Sequence, residues 1–216
     1  MPSLSEENYL KVLYHYSGDG EQRVSTTGIA SELGINAASV TGMLKKLTEK
    51  GWVEYKKSYG ARLTPAGRKA AVKVIRRHRL WELFLVRVLD FSWSEVHDLA
   101  EQLEHIQSDE LIRRIDRYLG FPAFDPHGDP IPDARGRMAA PKLQPLSRLS
   151  VGRKGRLARV LLQTPEFMHF CNVHGLEPGA EIELREREAF DGSMRVLIGG
   201  REQLISEKAG SFLMIE

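Results

Sequence analysis

From Leu4 to Leu119 the apolar residues recur every three or four positions; from Leu146 onward they alternate with polar ones. The first pattern predicts helices and the second predicts strands. Leu4, Tyr9, Leu10, Val12, Leu13 and Tyr16 mark a helix over 4–16, with Ser3 or Ser5 as its cap and Ser17-Gly18-Asp19-Gly20 as its break. Val24 to Leu33 reads as a second helix, with Thr26 or Thr27 near its start, and Gly34-Ile35-Asn36 as a tight turn after it. A third helix, Ala37 to Lys50, turns Val40, Met43, Leu44 and Leu47 inward and Ser39, Thr41, Lys45 and Lys46 outward. Gly51 stands where a helix-ending glycine is expected.

Trp52–Tyr55 and Ala61–Thr64 are short β-like runs around a Lys57–Gly60 turn. Helix, helix, turn, helix and hairpin is the order of a winged helix-turn-helix, in which the helix after the turn enters the DNA major groove. Pro65 then opens a long helix to about Leu89; a second helix follows Trp93-Ser94, and a third runs from Ser108-Asp109-Glu110 to Leu119. Such a helical segment carries more apolar surface than it can bury alone, which implies a homodimer. Two winged domains related by a twofold would read a pseudo-palindromic site on double-stranded DNA. Pro122, Pro126, Pro130, Pro132, Pro141 and Pro145 make 120–145 a semi-extended linker. The alternating runs 157–162, 181–184, 194–198 and 211–215, with a short helix over 164–172, predict a small β-barrel.

The expected fold is therefore mainly α with β. A winged helix-turn-helix over 1–64 precedes a helical dimerisation domain over 65–140, and a small β-barrel follows over 141–216.

Composition adds two constraints. The formal net charge is only +2, yet twelve basic and seven acidic residues give the first 76 residues a net +5. Positive charge is thus gathered where a phosphate backbone would use it. The chain has no apolar run long enough for a membrane-spanning helix, no signal-peptide pattern and a single cysteine, Cys171, so a cytoplasmic location without membrane partners is expected.

The remaining chemistry centres on His97-Asp98-Leu99-Ala100-Glu101-Gln102-Leu103-Glu104-His105. In a helix His97, Glu101, Glu104 and His105 share one flank, which is either a solvated polar face or a metal site.

Taken in order, Glu7-Asn8-Tyr9-Leu10, Ser39-Val40-Thr41, Leu63-Thr64-Pro65-Ala66-Gly67-Arg68, Arg77-His78-Arg79-Leu80-Trp81-Glu82, Val96-His97-Asp98 with Glu104-His105, and Gly128-Asp129-Pro130-Ile131-Pro132 resemble the diphtheria-toxin-repressor family of metal-dependent transcriptional regulators. The resemblance spans essentially the whole chain, and it implies that 65–140 is a dimerisation and metal-binding domain and that the barrel over 141–216 is SH3-like. It implies one metal site of Asn8, Glu101, Glu104 and His105, with Glu7 as an alternative to Asn8. It implies a second of His78, Glu82 and His97, joined by Glu166 and His169 from the third domain. Iron-responsive members place a cysteine at Glu101 and a methionine at Asn8; manganese-responsive members carry acids at Asn8, Glu101 and Lys11.

An all-nitrogen-and-oxygen set suits Mn²⁺, with Fe²⁺ as the alternative, while Zn²⁺ or Co²⁺ would bind in vitro. Metal would fix the DNA-binding domain against the dimer domain and so set the spacing of the recognition helices. Asn36, Ser39 and Thr41 are the candidates for groove contacts, and Lys45, Lys46, Lys57 and Arg62 for phosphates. Two rival classes remain. A metalloenzyme is disfavoured because the chain has neither a glycine-rich phosphate loop nor a His-Glu-x-x-His motif. A metal-blind winged-helix regulator would leave the His/Glu flank merely solvated.

Overall fold

The computed structural model describes residues 2–18 and 22–216; Asp19 and Gly20 of the expected break lie outside them. The chain forms two compact units. The first holds residues up to 78 with 102–109 and 132–137; the second holds 79–101, 110–131 and 138–216.

In the first unit, α1 (Leu4–Tyr16) starts at a capping box. Ser3 Oγ accepts from the Glu6 amide, and the Ser3 amide donates to Glu6 Oε2 at 2.9 Å. α2 (Thr26–Glu32) is shorter than its sequence pattern because Ser25, not a threonine, caps it. Val24 leaves the helix to bridge Ala61, exchanging backbone hydrogen bonds of 2.8 and 2.9 Å. α3 (Ala37–Glu49) is capped by Asn36 and ends before Gly51 at φ +72°. Strands β1 (Val53–Lys56) and β2 (Gly60–Leu63) form the antiparallel wing. The interior is the apolar stripe of each helix: Leu10 and Leu13, Ile29, and Val40, Leu44 and Leu47.

Glu6 is a charged residue within that interior. It is fully buried, and its Oε1 receives Lys50 Nζ at 2.7 Å and Lys46 Nζ at 3.0 Å from α3. Burial alone would raise its pKa, but Lys50, the Ser3 amide and Lys46 outweigh it and hold the carboxyl down to about 2. A carboxyl depressed in the folded state stabilises above its ordinary pKa, and that contribution is lost as pH falls from about 4.5 towards 2. Both lysines are partly in water, so Glu6→Gln should cost metal-free protein about 1–2 kcal/mol near neutrality. Urea unfolding of both proteins checks this: the gap should close near pH 2.

The long helix α4 (Pro65–Leu89) contributes its first half to the first unit and its second half to the other. In the second unit, Leu80 and Leu83 of α4 pack with Ile112 and Ile115 of α6 (Asp109–Tyr118) and with Ile131. Helix α5 (Val96–Leu103) ends earlier than the sequence pattern suggests. His97 and Glu101 share its face, but Glu104 and His105 lie in the turn beyond it.

The expectation of a semi-extended linker is corrected over 120–131, which is a compact loop. Asp125 Oδ1 accepts from the amides of His127 and Asp129 at 2.9 Å each, Ile131 donates to the Ala123 carbonyl at 2.8 Å, and Phe124 bridges Pro130. The prolines rigidify this turn rather than extending the chain.

The C-terminal part is a six-stranded antiparallel sheet. Its strands are β3 (Gln144–Pro145), β4 (Lys154–Val160), β5 (Glu181–Arg187), β6 (Met194–Ile198), β7 (Arg201–Ile205) and β8 (Leu213–Ile215), in the order β3-β8-β4-β5-β6-β7. That order contains no β3–β7 pair, so the SH3-like sheet is not closed by a ladder between its outer strands. Its core includes Leu157, Ile182, Leu184, Val196 and Leu213, with Met168 and Cys171 from α7 (Pro165–His174). The short helix α8 (Glu207–Ser211) and strand β7 had no clear signal in the alternation. Among the described residues no helix is long and apolar enough to cross a membrane.

Candidate metal centres

Three segments of the first unit converge on one buried polar cluster. α1 supplies Glu7, Asn8 and Lys11 at helical spacing, α4 supplies Arg77 and His78, and the turn after α5 supplies Glu104, His105 and Gln107. Glu7 uses both oxygens. Oε1 accepts from Arg77 Nη2 at 2.6 Å and Gln107 Nε2 at 3.0 Å, and Oε2 lies 2.7 Å from His105 Nδ1. That contact fixes the ring of His105 and leaves Nε2 3.7 Å from Glu104 Oε1. A carboxylate on one imidazole nitrogen is the usual means of aiming the other at a cation.

Glu104 is fully buried. Lys11 Nζ lies 2.8 and 2.9 Å from its two oxygens, and His78 Nδ1 is 2.7 Å from Oε2. Burial pushes the Glu104 carboxyl up, but the His78 hydrogen bond and the Lys11 charge hold it below its ordinary value. Arg77 Nε donates to the Glu104 carbonyl and so holds the turn. One acceptor remains: Asn8 Oδ1 is buried and accepts no hydrogen bond. A buried amide oxygen costs free energy unless something donates to it or coordinates it. Glu104 Oε1 and His105 Nε2, 3.7 Å apart, and the amide oxygen of Asn8 are donor types that suit a divalent cation of hard to borderline character.

A second cluster lies in the other unit. Glu82 on α4 and Asp125 and His127 in the compact loop are all buried, each offering a ligand atom within 4.8 Å of the others. His127 Nε2 donates to the Trp93 carbonyl at 2.8 Å, so in the neutral ring Nδ1 carries the lone pair. That Nδ1 makes no hydrogen bond and sits 3.6 Å from Glu82 Oε1. Asp125 Oδ2 likewise makes no hydrogen bond, with Arg79 Nε at 3.6 Å. Burial, together with the charges of Asp129 and Glu82, pushes the Asp125 carboxyl well up. Burial lowers the His127 pKa, but Glu82 and Asp125 outweigh it and raise it. Glu82 and Asp125 repel one another, and Asp125 Oδ2 and His127 Nδ1 are buried without a hydrogen bond, a set that a cation would relieve. His97 Nδ1 is 3.3 Å from Glu82 Oε1, and His97 Nε2 is 3.6 Å from Glu101 Oε1.

The residues expected as ligands are therefore distributed as follows. Asn8, Glu104 and His105 lie together in the first unit with Glu7; His78 is there as well, bonded to Glu104. Glu82, His97 and Glu101 lie in the second unit. Glu166 and His169 stand on the exposed side of α7, outside both clusters. Asp125 and His127 were missed by sequence reasoning. The acid-x-His-x-acid run Asp125-Pro126-His127-Gly128-Asp129 was the available signal, masked by its prolines.

On the winged segment, Ser39 and Lys45 are exposed on α3 and Lys57 is exposed in the wing turn. Asn36 Oδ1 is engaged with the Ser39 amide at 2.8 Å, and Thr41 Oγ1 donates to the Ala37 carbonyl at 3.0 Å. Lys46 pairs with Glu6, and Arg62 Nε donates to Glu54 at 2.8 Å across the wing.

Comparison with known proteins places these clusters in context. Residues 2–61 match the model of the iron-dependent repressor N-terminal DNA-binding domain. Residues 64–133 match the iron-dependent repressor metal-binding and dimerisation domain, and 144–216 match the FeoA domain. The diphtheria toxin repressor of Corynebacterium diphtheriae is 28% identical over 215 residues, covering 94% of this chain and 93% of that protein. A solved manganese-dependent transcriptional repressor in complex with manganese is 36% identical, with a TM-score of 0.87 and coverage of 97% of this chain and 98% of that one. The manganese regulator SloR is 31% identical at a TM-score of 0.77, over 98% of this chain and 97% of its own. The first two are named as repressors and the third as a regulator. With its DNA-binding, dimerisation and metal-binding parts in the same order, the chain belongs to the iron-dependent repressor family of metal-dependent transcriptional repressors.

Proposed function

We propose that this chain is a manganese-responsive repressor, acting in the cytoplasm as a homodimer on a pseudo-palindromic operator. The observation that carries the reading is the first cluster: an imidazole oriented by Glu7 with its other nitrogen 3.7 Å from the buried Glu104, and on α1 a buried amide oxygen without a hydrogen bond, with no sulfur among the donors. Oxygen and nitrogen donors suit Mn²⁺, and Fe²⁺ is the alternative that the same donors accommodate. The 36% identical neighbour that binds manganese supports the first choice.

The metal would be held by Asn8, Glu104 and His105, and Glu7 orients His105 rather than ligating, because Arg77 and Gln107 already occupy it. An ion there would tie α1 of the winged segment to the turn at 104–105. The domain assignment proposed is a winged helix-turn-helix over 1–64, a dimerisation and metal-binding domain over 65–140 and an SH3-like domain over 141–216. Exposed Leu89, Phe91, Tyr118 and Phe121 supply apolar surface for the twofold contact. Ser39, Lys45 and Lys57 are exposed candidates for groove and phosphate contacts.

Fluorescence anisotropy of operator DNA, titrated with Mn²⁺ and, anaerobically, with Fe²⁺, tests the reading. Binding should rise with Mn²⁺ at lower free-metal concentration than with Fe²⁺ and vanish with chelator; metal-independent binding would overturn it. The second cluster makes its own prediction. His127→Ala should bind one ion fewer per chain by calorimetry, and an unchanged stoichiometry would remove that centre.

A further inference from the structure

The first cluster holds a cation of its own. Lys11 is about seven-eighths buried, with a side-chain exposure of 13%, and its ammonium reaches both oxygens of a carboxylate that has no exposure at all. Glu7, in the same cluster, is neutralised by Arg77. Each of the two buried acids thus has a buried basic partner before any ion arrives. An ion that takes either oxygen of Glu104 meets an ammonium already there, and two like charges at such separations repel strongly where water is scarce.

We infer that Lys11 is a tethered competitor for the metal: it holds Glu104 in the metal-free protein, must withdraw from it on loading, and thereby sets the metal concentration at which the repressor responds. The inference rests on the metal site proposed above. It assigns Lys11 a role as a residue that tunes affinity without being a ligand. Two opposite consequences follow from one contact. Removing the ammonium leaves a buried carboxylate short of a counter-charge, so the metal-free protein loses stability. The same removal deletes the competitor, so metal binds more tightly. A lysine that merely supports the fold would give the first effect without the second.

The test is a Mn²⁺ titration of the full chain followed by electron paramagnetic resonance of free Mn²⁺, with thermal unfolding of the metal-free and loaded proteins. The site class under study is the one that Glu104→Gln removes. Lys11→Met should bind Mn²⁺ at that class about tenfold or more tightly than wild type, the scale of one partly buried charge contact. Its metal-free midpoint should fall, and saturating Mn²⁺ should restore it. Lys11→Arg, which keeps the charge, should stay near wild type. Should Lys11→Met fail to fold without metal, Lys11→Gln keeps a hydrogen-bond donor without the charge and should show the same tightening. Unchanged or weaker Mn²⁺ binding in both neutral variants, while Glu104→Gln loses an ion, would overturn the role of Lys11 alone. Identical isotherms for wild type and Glu104→Gln would overturn the metal site itself, and this inference with it.

Discussion

Glu104→Gln should abolish metal-stimulated operator binding while leaving a folded protein. The change keeps the shape of the side chain and deletes its charge. The turn that carries it is held by Arg77 through the backbone carbonyl of residue 104, a contact the substitution does not touch. What disappears is the charge of a fully buried carboxylate in the first cluster. An amide oxygen is a much weaker ligand for a hard cation, and Asn8 already contributes one. Loss of a ligating carboxylate exceeds the 10–100-fold typical of an outer-shell change, so Mn²⁺ affinity should drop by about 100-fold or more. Lys11 also loses its buried counter-charge, so a lower metal-free melting midpoint is expected as well. Circular dichroism establishes the fold and DNA anisotropy with saturating Mn²⁺ reads the function. Metal-stimulated binding at wild-type strength would contradict the site.

Gly128→Ala should be the most destabilising single methyl in the second unit. Gly128 has φ +85°, a backbone conformation that costs an L-residue about 1–2 kcal/mol. A Cβ there would also fall well inside contact distance of the Ala158 carbonyl oxygen and close to Arg159 Cα, both backbone atoms of β4 that cannot swing aside. The close approach exists because the loop docks on that strand: the Val160 amide donates to the His127 carbonyl at 2.9 Å. Strain and displacement together should cost about 3 kcal/mol or more. Gly152 provides the control, since its φ of +79° is similar but nothing lies within 4 Å of its would-be Cβ. Gly152→Ala should show only the conformational penalty. Urea unfolding compares the two, and metal stoichiometry provides a second reading. Pushing the loop off β4 moves Asp125 and His127 together, so Gly128→Ala should lose the second ion and Gly152→Ala should keep it.

Much of the fold was legible because it depends on local chemistry. The capping serine before α1, the glycine after α3, Pro65 at the first position of α4 and the alternation in β5 and β6 each act within a few residues. Failures occurred where a distant backbone intervened. Val24 reads as helical, yet Ala61 takes its amide into the wing. The prolines of 120–131 read as extended chain, yet Asp125 gathers the amides of His127 and Asp129 into a turn. Composition cannot report a partner that lies far away in sequence.

The candidate sites divide along the same line. Asn8, Glu104 and His105 could be chosen from motif order, but their environment could not. That Glu7 is spent on Arg77, Gln107 and His105, and that Lys11 lies across Glu104, are contacts between residues roughly 70 to 100 positions apart. Sequence periodicity placed Glu104 on the helix face of His97 and Glu101; the end of α5 at Leu103 removed it from that face and buried it instead.

By itself the sequence determined the longer helices, the wing, the strand-rich character of the C-terminal end and the chemical types available for a metal, because each is fixed by neighbours in the chain. Only the tertiary structure decided which acid is neutralised, which imidazole nitrogen is left open and which amide oxygen has no partner. Those depend on burial and on long-range pairing, where the loss of water makes every charge answer to whatever lies within a few ångströms.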